Sequence, residues 1–336
     1  MSRRIDRELQ ALMRKMEPQV ARAFIAAIRD LTSNVRFNDL VAAIERNDLE
    51  AAIRAIDMEP AVFARLTGTI AESFSVGGAI VAGGTAWQGA TGGRVVVRWD
   101  MANPRAEKYI REMNSKITGW FTNEAREIIR DTMADGYALG RGPRQIGLEI
   151  VGRVTATGRQ GGVIGLSAPQ SKYVQNMRKY IENGDISSYL NMTKRDKRYD
   201  SMVKRGDLSS GQIDKITQRY SDRLLKLRGD TIARTETAQA VEAGRFESFE
   251  QYQEKTGVPD EAIVRRWDHA GGKTSRDWHD AMNGMEVRGL SQPFITPRGA
   301  ALMFPCDTSL GAGADEVVNC RCMQTIRINY KALKDG

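Results

Sequence analysis

The side chains with the most chemistry to offer crowd the C-terminal third of the chain. All three cysteines (Cys306, Cys320, Cys322) and both histidines (His269, His279) fall there. Thiolates and imidazole are preferred zinc ligands, and His279, Cys306, Cys320 and Cys322 hold the four atoms that a closed tetrahedral site needs. Their spacing argues the other way, because Cys-x-Cys is not the Cys-x-x-Cys of a zinc knuckle. The expectation is therefore no bound cofactor, with a structural zinc on those four residues as the alternative. Without a metal, Cys320 and Cys322 place both side chains on one face of a final strand or of the residues leading into it. One of them then serves as a small buried hydrophobe, and Asn319 and Arg321 tie that segment by hydrogen bonds.

A nuclease would draw on His279, His269, Asp268 and Glu236 to hold a metal or move protons. No Gly-x-Ser-x-Gly, His-Glu-x-x-His or dinucleotide fingerprint accompanies them, so the candidate groups form no convergent constellation and no catalytic residue is assigned. Arg234 and Glu236 read instead as partners of Arg276 or Asp268 in a structural ion-pair network. The densest basic cluster is Lys194, Arg195, Lys197 and Arg198, followed by Lys204 and Arg205. It reads as a solvated loop or as a phosphate contact.

The elements that must position these groups are mostly helical. Ile5, Leu9, Leu12, Met13, Met16, Val20, Phe24, Ile28 and Leu31 recur at three- and four-residue steps, which predicts one long amphipathic helix. Shorter helices are expected over 37–46 and 49–56, with another starting near Pro60, a residue suited to a first helical turn. Residues 1–74 thus form a helical N-terminal region. Residues 75–103 carry Gly77-Gly78, Gly83-Gly84 and Gly92-Gly93 and read as a Gly-rich connection, with Val95–Val97 extended. Residues 104–208 form a helical middle region containing a mobile 158–162 loop and the basic loop. Within 209–336, Ser209 and Gln212 form a capping box, Gly229 offers a break between two helices, and 263–267 and 323–328 read as strands. The fold class is therefore mainly α in the N-terminal and middle regions, with a small α+β C-terminal module.

The chain has 336 residues and a net charge of +8, a balance that favours acidic partners such as nucleic acid. Three clustered cysteines do not make a secreted disulfide framework, which favours a reducing cytoplasm. No apolar run is long enough to cross a bilayer; the nearest, 76–90, is short and glycine-rich, so no membrane partner is expected.

An ordered set of motifs runs through the C-terminal third. Ala233-Arg234-Thr235-Glu236 lies on a helix, ahead of Trp267-Asp268 at a strand end. Arg276-Asp277-Trp278-His279 and Met282-Asn283-Gly284 follow, then Phe304-Pro305-Cys306-Asp307, and finally Asn319-Cys320-Arg321-Cys322. The set resembles the phage Mu protein F-like head morphogenesis family of minor head proteins, most clearly over residues 225–328. The resemblance carries Arg234, Thr235, Glu236, Trp267, Asp268, Arg276, His279, Gly284, Pro305, Asn319, Cys320, Arg321 and Cys322 over as a structural motif. It implies a few copies per virion inside the head near the portal vertex, assembled in the host cytoplasm. The implied partners are the portal protein, capsid or scaffold proteins and packaged double-stranded DNA, which the protein contacts or helps deliver. The N-terminal half lies outside the resemblance. The alternatives are a nuclease-like DNA-processing enzyme and a general nucleic-acid-binding module.

Overall fold

The computed structural model describes residues 3–155, 158–272 and 275–330. The helices are α1 (Arg3–Ser33), α2 (Phe37–Glu45), α3 (Leu49–Ile56), α4 (Ala64–Gly84), α5 (Pro104–Ala138), α6 (Pro143–Val151), α7 (Ala168–Glu182), α8 (Ile186–Asn191), α9 (Asp200–Arg205), α10 (Ser210–Thr256), α11 (Asp277–Ala281) and α12 (Ala314–Val317). The strands are β1 (Trp87–Gln88), β2 (Arg94–Val95), β3 (Arg153–Thr155), β4 (Gly158–Gln160), β5 (Ile263–Asp268), β6 (Glu286–Arg288), β7 (Phe294–Ile295), β8 (Ala301–Leu302) and β9 (Met323–Ile328). The protein is mainly α, with a small α+β C-terminal region. Its contacts divide it into two units of interleaved segments: 1–21, 67–113 and 230–336 in one, 22–66 and 114–229 in the other. The long helices α1, α4, α5 and α10 each give residues to both.

In the unit made of 22–66 and 114–229, α2 and α3 pack with α6 around Leu40, Ile44, Ile56, Ile129, Ile146 and Ile150. Phe121 stacks between Phe24 and Phe63, with ring centroids 5.5 and 4.9 Å away. The Ser209–Gln212 capping box forms: Ser209 N donates to Gln212 Oε1 at 2.8 Å, and Gln212 N donates to Ser209 Oγ at 3.3 Å. The helix it opens does not stop at Gly229. α10 runs 47 residues unbroken, and Gly229 sits inside it where a Cβ would press to 3.0 Å from the Phe24 ring. The glycine is there for close packing, which offsets its low helix propensity. Two loop expectations are also corrected. Part of 158–162 is strand β4, paired with β3. The basic segment 194–205 contains a 3-10 turn over Lys197–Tyr199 and then α9.

In the unit made of 1–21, 67–113 and 230–336, the central element is the second half of α10. Residues 237–249 are all buried. A helix hidden on every side must bring partners for its polar groups. Arg245, fully buried, donates to Asp6 at 2.9 Å, and Ser248 Oγ donates to the Gly78 carbonyl at 2.8 Å. That second contact explains why the expected Gly-rich break at 77–84 is absent. α4 continues through those glycines because its backbone touches α10: a Cβ at Gly77 would come within 3.1 Å of the Val241 carbonyl, and one at Gly244 within 2.3 Å of the Phe74 carbonyl. After α10, three antiparallel strands form a sheet in the order β6-β5-β9, with Asp268 opposite Met323 at one end of the β5–β9 pair. Trp267, fully buried, anchors the core between sheet and loops together with Phe294, Leu302 and Met282.

Candidate metal centre

The residues leading into β9 turn sharply. Asn319 takes a left-handed backbone (φ 58°), a conformation that asparagine tolerates better than most residues. This bend directs Cys320 and Cys322 inward, where both are buried. Helix α11 brings His279 to the same place, and the Phe304-Pro305-Cys306-Asp307 turn brings Cys306. His279 Nδ1 lies 3.5 Å from Cys320 Sγ and 3.7 Å from Cys322 Sγ. The three ligand atoms lie within 4.8 Å of one another. Cys306 adjoins them, its Sγ 3.7 Å from the Cys320 carbonyl oxygen.

Bond lengths of about 2.3 Å to sulfur and about 2.0–2.1 Å to nitrogen, at tetrahedral angles, give a nitrogen–sulfur edge of about 3.6 Å around zinc. The two distances from His279 match that edge. On its other side the imidazole is held in place: His279 Nε2 is 2.9 Å from Glu316 Oε2, and that oxygen also accepts from Trp278 Nε1 at 2.8 Å. A carboxylate on one ring nitrogen fixes the tautomer and leaves the lone pair of the other for a metal.

Hydrogen bonds from the Cys306 and Cys322 thiols hold Cys320 far below its ordinary value. Cys306 and Cys322 are pushed up by that same sulfur and by burial. At His279 burial lowers the imidazole, but the Cys320 sulfur and the Glu316 carboxylate outweigh it and the net shift is upward. The triad is thus compatible with zinc, and its burial suits a closed structural site rather than an open catalytic one.

The motif residues supply the frame around this cluster. Arg234 Nη1 donates to Asn319 Oδ1 at 2.7 Å, and Asn319 N donates to Thr235 Oγ1 at 3.0 Å, so α10 grips the cysteine segment across 84–85 residues of sequence. Arg276 donates to the Val318 carbonyl at 2.6 Å and to the Asp315 carbonyl at 2.5 Å. Trp267 stands edge-on to His279, 5.3 Å between centroids. Gly284 (φ 83°) donates to the Trp267 carbonyl at 2.8 Å and closes the chain back toward β6. Pro305 is buried in its turn.

The expected network of Arg234 and Glu236 with Arg276 or Asp268 is replaced at three of its members. Arg234 and Arg276 both turn to the cysteine segment, where backbone and amide oxygens need donors, and Asp268 pairs with Arg266 at 2.8 Å. Burial pushes the Tyr109 hydroxyl up, and the Glu236 charge adds to it. Asn319 ties the segment as expected, while Arg321 points to Glu17 at 3.5 Å.

Two residues that organise the C-terminal module were not found in the sequence. One is Glu316, which lies on a four-residue helix inside a glycine-rich stretch. The other is Arg265, fully buried on the central strand, which donates to the Gly289 carbonyl at 2.7 Å and to the carbonyls of Gln292 and Met303. The signal was present in its flanks: Ile263, Val264 and Trp267 mark a buried strand with a cation in its middle.

The other histidine brings together a serine and an aspartate without forming a triad. His269 Nε2 contacts both Ser275 Oγ and Asp280 Oδ1, the latter at 2.5 Å, while Nδ1 accepts from Gly271 N at 3.1 Å. A general base must be oriented through one nitrogen and receive the proton on the other. Here both partners share a single nitrogen.

In the other unit, the basic segment is partly neutralised. Arg195 forms a two-pronged pair with Asp200, both contacts at 2.9 Å, and Arg198 forks onto Asp196. Lys194, Lys197, Lys204 and Arg205 are exposed.

No family model, curated protein or solved structure matches the chain.

Proposed function

We propose that this chain is a minor head protein of a tailed phage, of the phage Mu protein F-like kind, whose C-terminal module is held together by a structural zinc. It acts as a structural component near the portal vertex inside the head, rather than as an enzyme, and contacts packaged double-stranded DNA. The observation that supports this reading is convergence. Arg234, Thr235, Trp267, Arg276, His279, Asn319, Cys320 and Cys322, the residues that carry the resemblance, surround one buried cluster although α10 and the last strand are far apart in sequence.

In the zinc centre, His279 Nδ1, Cys320 and Cys322 are ligands, and Cys306, hydrogen-bonded to Cys320, is the residue placed to complete the set. Glu316 orients the imidazole. The metal would supply cross-linking free energy to a module with small strands, as structural zinc does elsewhere.

Two measurements test the proposal. Native mass spectrometry of the protein co-expressed with its portal ring should show a complex of defined stoichiometry; a protein that stays free while portal and capsid assemble without it overturns the head assignment. Elemental analysis of the purified chain should find one zinc per chain, lost with unfolding on strong chelation. Metal-free protein with an unchanged melting temperature overturns the zinc assignment and leaves the head assignment standing.

A further inference from the structure

Lys215, Arg219 and Arg223 stand one turn apart on the exposed side of α10, and Lys226 follows them. Ile216, Tyr220 and Leu224 occupy the buried side. Four-residue steps advance about 6 Å along the axis and stay on one face, so the cations form a row instead of a ring. The row borders a cleft of ≈ 680 Å³ whose walls include Gln160, Arg198, Lys215, Arg219 and Arg223. The two carboxylates beside it are already engaged: Asp222 accepts from Gly161 N at 2.9 Å, and Asp196 caps the 3-10 turn and holds Arg198. Arg223 Nη1 donates to the Arg195 carbonyl at 3.2 Å, which joins the row to the basic segment 194–205.

The geometry points to this row as the track that holds a phosphate backbone of duplex DNA, an inference that rests on the DNA contact proposed above and locates it on α10. Arginine forks and lysine ammonium groups suit phosphate oxygens. Within the neighbouring segment, Arg195 and Arg198 are already partly neutralised by Asp200 and Asp196, while Lys215, Arg219 and Arg223 stand exposed along α10. Duplex fits better than single strand because Tyr220 is only 5 % exposed in the cleft wall and offers no face on which a base stacks. Such a row reads no sequence; it sets position and orientation.

The test is fluorescence anisotropy of the full chain with a random-sequence duplex across a salt series. Lys215→Ala/Arg219→Ala/Arg223→Ala is compared with Arg14→Ala/Lys15→Ala/Lys108→Ala, which removes as many exposed cations elsewhere. The row variant should lose about three phosphate contacts, lowering the slope of log K against log salt by about 2.7, equally for different sequences and with an unchanged melting temperature. The control variant should keep the wild-type slope. A wild-type chain that binds duplex while the row variant binds like the control overturns the track and leaves the DNA contact standing. A wild-type chain that fails to bind duplex even at low salt overturns both.

Discussion

His279 and Glu316 form a buried imidazole–carboxylate pair, Nε2 to Oε2 at 2.9 Å, on the side of the ring facing away from the cysteines. In the proposed zinc centre the carboxylate would act on the metal only through the ring. Glu316→Gln should therefore keep the fold but weaken zinc binding by about 10- to 100-fold, the usual cost of losing an orienting partner. Competition with a chromophoric chelator measures it. His279→Ala, which removes a ligand, should fail to hold zinc at all; equal zinc affinity in Glu316→Gln and wild type would falsify the orienting role.

Arg265 satisfies three backbone carbonyls from a fully buried position between the rings of Phe246 and Phe294, which lie 5.3 and 5.2 Å from its guanidinium carbon. Burial pulls it down only to about 10, so it stays charged. Lysine cannot reproduce the planar fork. Arg265→Lys should cost at least about 3 kcal/mol in urea unfolding, from stranded carbonyls and a misplaced charge. A loss below about 1 kcal/mol, the scale of an ordinary surface change, would show that the loops do not depend on the fork.

Glu247, Glu250 and Glu254 gather around Arg105, at 3.3, 3.7 and 3.0 Å. Burial, and after it the neighbouring Glu247, push the Glu250 carboxyl up to about 8. Burial pushes Glu242 up to about 7 against the pull of Arg245. The folded protein thus keeps protons that the unfolded chain releases near its ordinary carboxylate value of about 4.3. Stability contributed by these groups is present at low pH and declines as pH rises toward their folded values. Melting temperature should fall across this interval, and Glu250→Gln, which stays neutral, should flatten its uppermost part between about pH 7 and 8. An unaltered profile in that variant would remove Glu250 as the source.

Two helical glycines should respond to alanine with opposite signs. At Gly244 the new methyl would sit 2.3 Å from the Phe74 carbonyl, and α4 would have to move. The loss should be about 2–3 kcal/mol. Gly68 is exposed in α4 with nothing within 4 Å of its Cβ position. There the substitution should add about 0.5–1 kcal/mol through helix propensity. Denaturant melts of both variants check the pair; a neutral Gly244→Ala would mean that the helices are not in contact there.

What could be read in the sequence was what depends on neighbours along the chain. The stripe from Ile5 to Leu31 gave α1, nearly all of it buried, and Ser209 with Gln212 marked the start of α10. The glycines misled because propensity is local and their role is not: Gly77 and Gly229 face Val241 and Phe24, residues remote in sequence. The gathering of His279, Cys320 and Cys322 was not legible for a similar reason. Knuckle spacing assumes that ligands come from one hairpin, whereas His279 reaches Cys320 across 41 residues and Glu316 lies in a stretch with no periodicity to betray it.

The interleaving of segments also sets an order of assembly on the ribosome. The unit built from 22–66 and 114–229 has all its residues once position 229 is made, whereas β5 must wait for β9 at 323–328. At about 5–20 residues per second, the nearly 100 intervening residues take on the order of 5–20 s to synthesise. During that interval residues 1–21 and 67–113 have been made but lack their partners from 230–336. Nascent chains at this stage are the ones most exposed to chaperones and proteases. Cys320 and Cys322 can join His279 only at the end of this interval.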